Sequence, residues 1–504
     1  MPESEARRSL EQFPHAVFRT DAGPRIGGGH LSRCLVLAHE LKAKGWSVTF
    51  VMTRSGESSF RRAKTSGIEL VVIDEDALDS SDALRGAING TCALLVIDHY
   101  RLGAAFESAL KDWAAEILVI DDLADRQHDC GILIDPSPGR IAADYEGLVP
   151  PNCKLLLGAG FALLRKEFAE YRLKALNRKA SSARALRLLV SFGMTNPMDA
   201  IFAVMDALEH CPPDLEVCLV LGSARTRGEL DRRISGLRQS VAVLESPENL
   251  AAVMLEADIA IGAAGGSALE RCCLALPAIT VSIAANQEFN LISLAENGAS
   301  ITVASTTDRD AIARAINELT ANEFRRTEMA AAAAAVCDGL GATRSMLALA
   351  PETNLSGESV TSRPATFDDM DMMFEWQTSP GVRKFSGNPT APTWEEHCTW
   401  FERRMRAQPG LFEIILLGNT PAGMIRLDQL EGKEDAFQVS ILIAPEYQGQ
   451  GVGGATLRVA RRLVPHGEFH ANIHKNNHSS RKIFSAAGYV PKGDVFLSRP
   501  VQSP

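Results

Sequence analysis

The sequence lacks a surplus of positive charge. Its 504 residues hold 52 lysines and arginines against 62 aspartates and glutamates, a formal charge of −10. Nucleic-acid binders neutralise phosphate with surplus cations, so a nucleic-acid partner is not expected. Long hydrophobic runs are lacking too. No uncharged stretch approaches the roughly 20 apolar residues of a membrane helix, so no membrane partner is expected. The run Ala330–Ala335 is short, follows Arg326 and Glu328, and reads as a good helix former. Charges run through the opening MPESEARRSLEQFPHAVF, so no signal peptide is expected. The ten cysteines are scattered without repeated CxxC pairs, which argues against a zinc finger or a disulfide scaffold. They suit reduced thiols in a cytoplasmic protein. The first glycine turn, Gly27–Gly29, is not GxGxxG, so it carries no dinucleotide fingerprint, and no repeat of 20–50 residues is seen.

What is present is an ordinary globular mixture, 46% hydrophobic and 23% charged, enough for about three domains at roughly 150 residues each. From residue 16 to about 165, β-branched runs (VTFVM, ELVVID, ALLVID, EILVID, GILID) alternate with helical patterns such as HLSRCLVLAHELKAKG. A second series spans 185–345: LRLLVSFG, LEVCLVLG, VAVLES, IAIGAAGG, AITVSI and SITVAS. Strands alternating with helices predict parallel sheets covered on both faces. The Lys- and Arg-rich stretch 158–184 reads as a helical connector. Residues 351–362, polar and turn-rich, read as a linker. A third α/β domain is expected over 363–500.

Three glycine turns carry the chemistry. After the first strand come Arg19 and Asp21, then Gly27, Gly28, Gly29 and His30 opening a helix. Backbone amides at a helix N-terminus attract phosphate, and an imidazole there can serve as a base or merely cap the helix. Gly265, Gly266 and Ser267 repeat the arrangement after a buried strand. Glu270, read as lying in the first turn, is either a ribose acceptor or a dipole-favoured acid. Asn286 and Gln287 follow the next strand, to bind a sugar or cap a turn. Asp121, Asp122 and Asp125 of VIDDLADR are the rival metal site but read as a post-strand turn, so no metal is expected. In the third domain Gln448, Gly449, Gln450, Gly451, Val452 and Gly453 open a helix after VSILIAP, a loop suited to a pyrophosphate.

The first two domains resemble the GT-B nucleotide-sugar fold. Within it they are most similar to the UDP-sugar hydrolases of pseudaminic acid biosynthesis. The stretches that match are FRTDAGPRIGGGHLSRCLVLAHEL, VIDHY, VIDDLADRQHDC, LLGAGFALLRKEF, LLVSFG and GAAGGSALERCCLALP with its trailing Asn286-Gln287. The resemblance implies metal-independent hydrolysis of UDP-2,4-diacetamido-2,4,6-trideoxy-β-L-altropyranose, releasing UDP with inversion. His30 would be the base, and Tyr100 and Asn286 would assist. Arg19, Asp21, Gly28, Gly29, Gly265, Gly266, Ser267, Glu270 and Gln287 would bind UDP and sugar.

The third domain resembles the GNAT acyltransferases. It matches their Q-x-x-G-x-G loop at 448–453, and Asn477, Ser480, Phe484, Gly488 and Tyr489 match their N-x-x-S-x-x-x-F-x-x-x-G-[FY] helix. The resemblance implies acetyl-CoA as co-substrate, bound by the 448–453 loop with Asn477 and Ser480. The acceptor would be the 4-amino group of a UDP-4-amino-4,6-dideoxy-N-acetyl-altrosamine. Ser480 and Tyr489 are candidate proton-transfer groups. Glu396 and His397 either line the sugar site or cap a helix. His466, His470, His474 and His478 recur every four residues, but FHANIHK reads as a strand rather than a metal-binding helix face. The expected chain is thus α/β throughout, two Rossmann-like domains in a GT-B arrangement followed by a GNAT domain. Competing readings are a GT-B glycosyltransferase fused to an acetyltransferase and a nucleotide-sugar sensor without turnover.

Overall fold

The computed structural model describes residues 14–23, 26–63, 65–178, 184–193, 196–222, 227–406, 410–433, 435–493 and 495–500. It divides into two compact units, 1–342 and 343–504. The charged N-terminal stretch up to residue 13 and part of the expected connector, 179–183, lie outside the described residues.

Unit 1 holds two fully parallel sheets. The first joins β1 (His15–Thr20), β2 (Ser47–Thr53), β3 (Glu69–Ile73), β4 (Leu94–Asp98), β5 (Ile117–Ile120), β6 (Ile132–Asp135) and β7 (Lys154–Leu157) in the order 3-2-1-4-5-6-7. The second joins β8 (Arg187–Ser191), β9 (Glu216–Leu221), β10 (Val241–Glu245), β11 (Ile259–Ala263), β12 (Ala278–Val281) and β13 (Ser300–Val303) in the order 10-9-8-11-12-13. Every residue of β4 and of β11 is buried, as expected of strands covered on both faces. The first helix, Gly29–Ala43, buries Leu31, Cys34, Leu35, Leu37, Ala38 and Leu41, the period of a helix lying on a sheet. It stops before Gly45, whose φ is 84°. In both sheets the connections reverse direction between two neighbouring strands, β1 and β4 in one, β8 and β11 in the other. Such switch points leave a crevice at the strands' carboxyl ends. The Gly28, Tyr100 and Gly265 turns follow three of these four strands, β1, β4 and β11.

Unit 2 is one mixed sheet of eight strands: β14 (Glu352–Thr353), β15 (Ser359–Pro364), β16 (Gly410–Leu417), β17 (Thr420–Gln429), β18 (Ala436–Ile443), β19 (Glu468–Asn472), β20 (Val490–Lys492) and β21 (Val495–Ser498). Their order is 14-15-16-17-18-19-21-20. Among the described residues only β18 and β19 run parallel, in register from Ala436↔Glu468 to Gln438↔His470. Helices Met370–Thr378 and Trp394–Met405 cover one face through Met373, Trp376 and Phe401, against Ile414 and Met424.

The expected linker is the point of difference. Residues 351–362 contain β14 and part of β15, a hairpin on the edge of the unit 2 sheet. Arg344, placed by sequence in the second domain, belongs to unit 2. Its fully buried guanidinium is 2.6 Å from the buried Glu413 carboxylate on β16, which also accepts from Ser362. Composition marked the segment as polar, whereas main-chain pairing and this buried ion pair absorb its polarity.

Removing one partner of a buried pair leaves the other charge uncompensated, at a cost of about 3–5 kcal/mol. Arg344→Met in the full chain should therefore lower one calorimetric unfolding transition by that amount and leave the other unmoved. A shift below about 1 kcal/mol would mean that the pair does not hold unit 2 together.

Candidate functional site

In unit 1 the helix Gly29–Ala43 begins on Gly28 with no side-chain cap. Its first amides are therefore free for a ligand. A Cβ on Gly29 would meet nothing within 4 Å, so the turn is open on that side. His30 is 6% exposed, and its Nδ1 lies 2.6 Å from Oδ1 of Asp98, the last residue of β4. Asp98 is fully buried. Arg33, one helical turn after His30, grips both its oxygens at 2.7 Å and reaches Asp122 at 2.8 Å. Burial alone would lift the Asp98 carboxyl, but the charge of Arg33 and the hydrogen bonds from Arg33 and His30 outweigh that and hold it well below the usual carboxylate range. The carboxylate thus stays ionised and fixes which imidazole nitrogen it meets.

Tyr100 stands edge-on to His30, ring centroids 4.5 Å apart at 88°. Its hydroxyl donates to Asp122 at 3.4 Å and accepts from Asn286 Nδ2 at 2.8 Å. Burial, reinforced by the Asp122 charge, pushes its pKa up and keeps the phenol neutral. Gln287, the neighbour of Asn286, accepts from the Ala264 amide at 3.2 Å, and a Cβ on Gly265 would lie 3.2 Å from its Nε2. The segment Ala285–Gln287 therefore ties the Tyr100 loop to the Gly265 turn, where helix Gly266–Cys273 also starts without a side-chain cap. Four turns converge, and His30, Tyr100, Asn286, Gln287, Gly28, Gly29, Gly265 and Gly266 lie on them.

Other expected ligand residues are used by the protein itself. Arg19 is 1% exposed and bonds Asp21, Thr20 O, Val51 O and Leu78 O. Asp21, wholly buried, accepts from the Thr53 amide and hydroxyl. Both sit behind the glycine turn rather than on its surface. Glu270 is the fifth residue of its helix, past the first turn, and pairs with Arg165 at 3.7 Å. Burial raises its pKa against the pull of that guanidinium. Ser267 lies 3.5 Å from the buried Arg271. Asp121 and Asp125 pair with Arg126, and Asp121 caps Ala124, whose φ is 53°. No group of three or more metal-ligating side chains occurs among the described residues, and among them no helix is long and apolar enough to cross a membrane.

In unit 2, helix Val452–Leu463 starts on Gly451, left-handed at φ 87°, again without a side-chain cap. Gly449 is also left-handed, at φ 79°. The Gln448 and Gln450 amides bond the carbonyls of Ile443 and Glu446, so their side chains shape the loop. The amides from Gly449 to Gly453 are what the loop presents. Leu355, at the turn between β14 and β15, donates its amide to Gln450 O. A Cβ on Gly451 would lie 2.5 Å from Leu355 Cγ. Asn477 caps helix His478–Ala486 by accepting from the Ser480 amide at 3.1 Å. Tyr489 is buried with its hydroxyl unpartnered among the described residues. Glu396 closes a capping box with Thr393, and His397 is 1% exposed among Phe374, Trp394, Trp400 and Phe401. Glu396 takes the capping alternative, whereas His397 is packed among aromatic rings, a place that neither alternative named. Of the recurring histidines, His470 lies on β19 and His478 opens a helix, so they share no helical face.

The family model "Acetyltransferase (GNAT) domain" matches residues 360–490. Unit 2 carries a GNAT domain. The chain is 26% identical over 287 residues to UDP-2,4-diacetamido-2,4,6-trideoxy-β-L-altropyranose hydrolase of Campylobacter jejuni, covering 56% of this chain and 96% of that one. It is 22% identical to the uncharacterized protein MJ1062 of Methanocaldococcus jannaschii over 93% of this chain and 95% of that one. That second alignment spans both the unit 1 sheets and the GNAT domain. Among solved structures, Acinetobacter baumannii MurG is similar over 67% of this chain and 99% of its own, at 16% identity and a TM-score of 0.49.

Sequence reasoning singled out His30, Tyr100 and Asn286 but missed Asp98, Arg33 and His99. The signal for Asp98 was its place at the end of an apolar strand, where a carboxylate has no structural need to be. His99 lies 3.7 Å from Asp21 and accepts the Arg101 amide on Nδ1. Burial and then the Arg19 charge depress its pKa to about 4, against Asp21. The unfolded chain takes this proton near pH 6.5, so stability should be complete above that and fall as the pH drops toward 4. The loss is at most about 3 kcal/mol. Thermal unfolding between pH 4 and 7 should show this slope, and His99→Gln should flatten it.

Proposed function

We propose that the chain is a bifunctional nucleotide-sugar enzyme. Its GNAT domain transfers acetyl from acetyl-CoA to the 4-amino group of a UDP-4-amino-4,6-dideoxy-N-acetyl-altrosamine. Unit 1 hydrolyses the resulting UDP-2,4-diacetamido-2,4,6-trideoxy-β-L-altropyranose without a metal, as a protein of the cytoplasm. The observation that carries the hydrolase reading is the His30–Asp98 pair beside the Tyr100–Asn286 bridge, over an open helix N-terminus. The match to the Campylobacter jejuni hydrolase along 96% of its length supports the substrate.

The geometry supports the following chemistry. Asp98 engages Nδ1 of His30, leaving Nε2 to take a proton from water. Water oxygen bonds to the anomeric carbon as its bond to the diphosphate oxygen breaks, so UDP leaves from the opposite face and the configuration inverts. The imidazolium that forms is stabilised by the ionised Asp98, and Arg33 keeps that carboxylate charged. UDP leaves as a stable anion, and the amides at Gly265 and Gly266 offer donors for its charge. Asn286 keeps a second Nδ2 hydrogen to donate to the sugar, and the neutral Tyr100 hydroxyl holds that amide in place. In the GNAT domain the amides from Gly449 to Gly453 suit the pyrophosphate of acetyl-CoA. Beyond Gln438 the edge of β18 has parted from β19, leaving backbone groups for an extended ligand arm. The acceptor amine attacks the thioester carbonyl, CoA leaves as thiol, and the amine proton passes to solvent or a base.

The competing reading from the sequence is transfer of the sugar to an acceptor. UDP release from the diacetamido nucleotide sugar without any acceptor is expected; release only when an acceptor is added would sink the hydrolase reading. In the same assay His30→Ala should lose about 100-fold or more in kcat. Asp98→Asn should lose at least about tenfold with little change in KM, and acetyl transfer should survive both.

Gly451→Val places a side chain where φ is 87° and Leu355 is too near. The left-handed backbone alone costs about 1–2 kcal/mol, and the Leu355 turn must move. The KM for acetyl-CoA should rise about tenfold or more, with UDP release unchanged. A folded variant with normal acetyl-CoA affinity would remove this loop from the acetyl-CoA site.

A further inference from the structure

A cavity of about 210 Å³ in the GNAT domain is lined by Trp400, Arg403, Arg404, Arg426 and Asp428, with no residue of the glycine loop in its lining. Three guanidiniums face a single carboxylate. Asp428 is shared between two of them, Arg404 Nη1 and Arg426 Nε, each at 2.7 Å. Arg404 is also pinned by the carbonyls of Leu411 and Leu427, and its side chain is only 9% exposed. Its Nε has no hydrogen-bond partner among the described residues. An unpaired buried donor of a permanent cation is costly unless something accepts from it. Arg403 is exposed on the helix Trp394–Met405 and adds charge at the cavity's edge. The Trp400 indole forms one wall, with the Arg426 guanidinium 5.5 Å from its ring centre.

This wall chemistry selects its ligand. Planar guanidinium forks match phosphate oxygens, and net positive charge excludes a cationic amine. The volume is below the roughly 300–1,000 Å³ of sites that enclose a drug-sized molecule, so it holds a phosphoryl group and not a whole nucleotide sugar. Its place in the sheet matters too. Arg426 on β17 is in register with Ser440 on β18, two residues beyond Gln438, where β18 leaves β19. The cavity therefore lies on the row of the sheet where the strands part.

We propose that this cavity is the phosphate-recognition site of the GNAT domain and takes the diphosphate of the acceptor nucleotide sugar. The proposal rests on the reading that this acceptor is a nucleotide sugar. A diphosphate held here anchors the acceptor by its charged end and leaves the sugar amine free to reach the thioester. The phosphate groups of CoA offer the same chemistry, and the experiment separates the two.

The test is calorimetric titration of the full chain with UDP and, separately, with CoA. The wild type should bind two UDP per chain, one in each unit. Arg403→Glu, at an exposed helix position that folding does not need, should bind one, with CoA affinity unchanged. Arg426→Lys keeps the charge but loses the fork, and should weaken the second UDP about tenfold or more. Thermal melts of both variants confirm that they are folded. If UDP stoichiometry and affinity are the same in wild type and both variants, the proposal is overturned. If CoA affinity falls instead, the cavity serves CoA and the acceptor assignment is overturned. If the wild type binds one UDP and Arg403→Glu none, the cavity stands and the UDP-sugar reading of unit 1 fails.

Discussion

The candidate site of unit 1 hangs on one buried carboxylate. Asp98 ends the central strand of a parallel sheet, with no exposure to water and three partners: His30, Arg33 and the thiol of Cys34. Ionised carboxylates are tolerated in such a place only when paired, and Arg33 supplies two hydrogen bonds to do so. The same arginine reaches Asp122, and Asp122 accepts from Tyr100. One charge therefore sets the orientation of the imidazole, the place of the arginine and, through Asp122, the hydroxyl that meets Asn286. Each depends on β1 and β4 being neighbours, since Thr20 pairs with Asp98 across that ladder.

A buried ion pair plays a comparable part in the GNAT domain. Arg344 precedes the sheet in sequence yet is enclosed with Glu413 on β16, and Ser362 of β15 shares that carboxylate. The pair fastens the start of unit 2 to its sheet, and the hairpin that follows brings Leu355 against the glycine loop. Glu352 extends the connection by pairing with Arg458, on the helix which that loop opens. Residues 351–362, expected as a linker, thus contribute to the unit 2 sheet.

Much of the fold was legible from period and turn chemistry. The apolar runs of both parallel sheets, and VSILIAP and FHANIHK in unit 2, stand where the sequence patterns predict strands. The three glycine turns each open a helix that no side chain caps. Short edge strands were not legible: SVTS, the first part of β15, reads as linker because an edge strand needs little hydrophobicity, and its main-chain partners on β16 are distant in sequence, as in Val360↔Leu417. The polar residues divided differently. His30, Tyr100 and Asn286 meet at one place, whereas Arg19, Asp21, Glu270 and Asn477 turn inward to other groups of the chain.

The sequence by itself determined the alternation of strands and helices and the positions of the glycine turns. Those depend on residues within one turn or strand of each other: hydrophobic period, the φ freedom of glycine, the absence of a capping side chain. Only the tertiary structure decided which polar groups face a ligand and which are consumed in holding the fold. Arg33 and Asp98 are 65 residues apart and Arg344 and Glu413 are 69 apart. A charge's role is set by what shares its burial, and the packing of distant strands fixes that, not the spacing of residues along the chain.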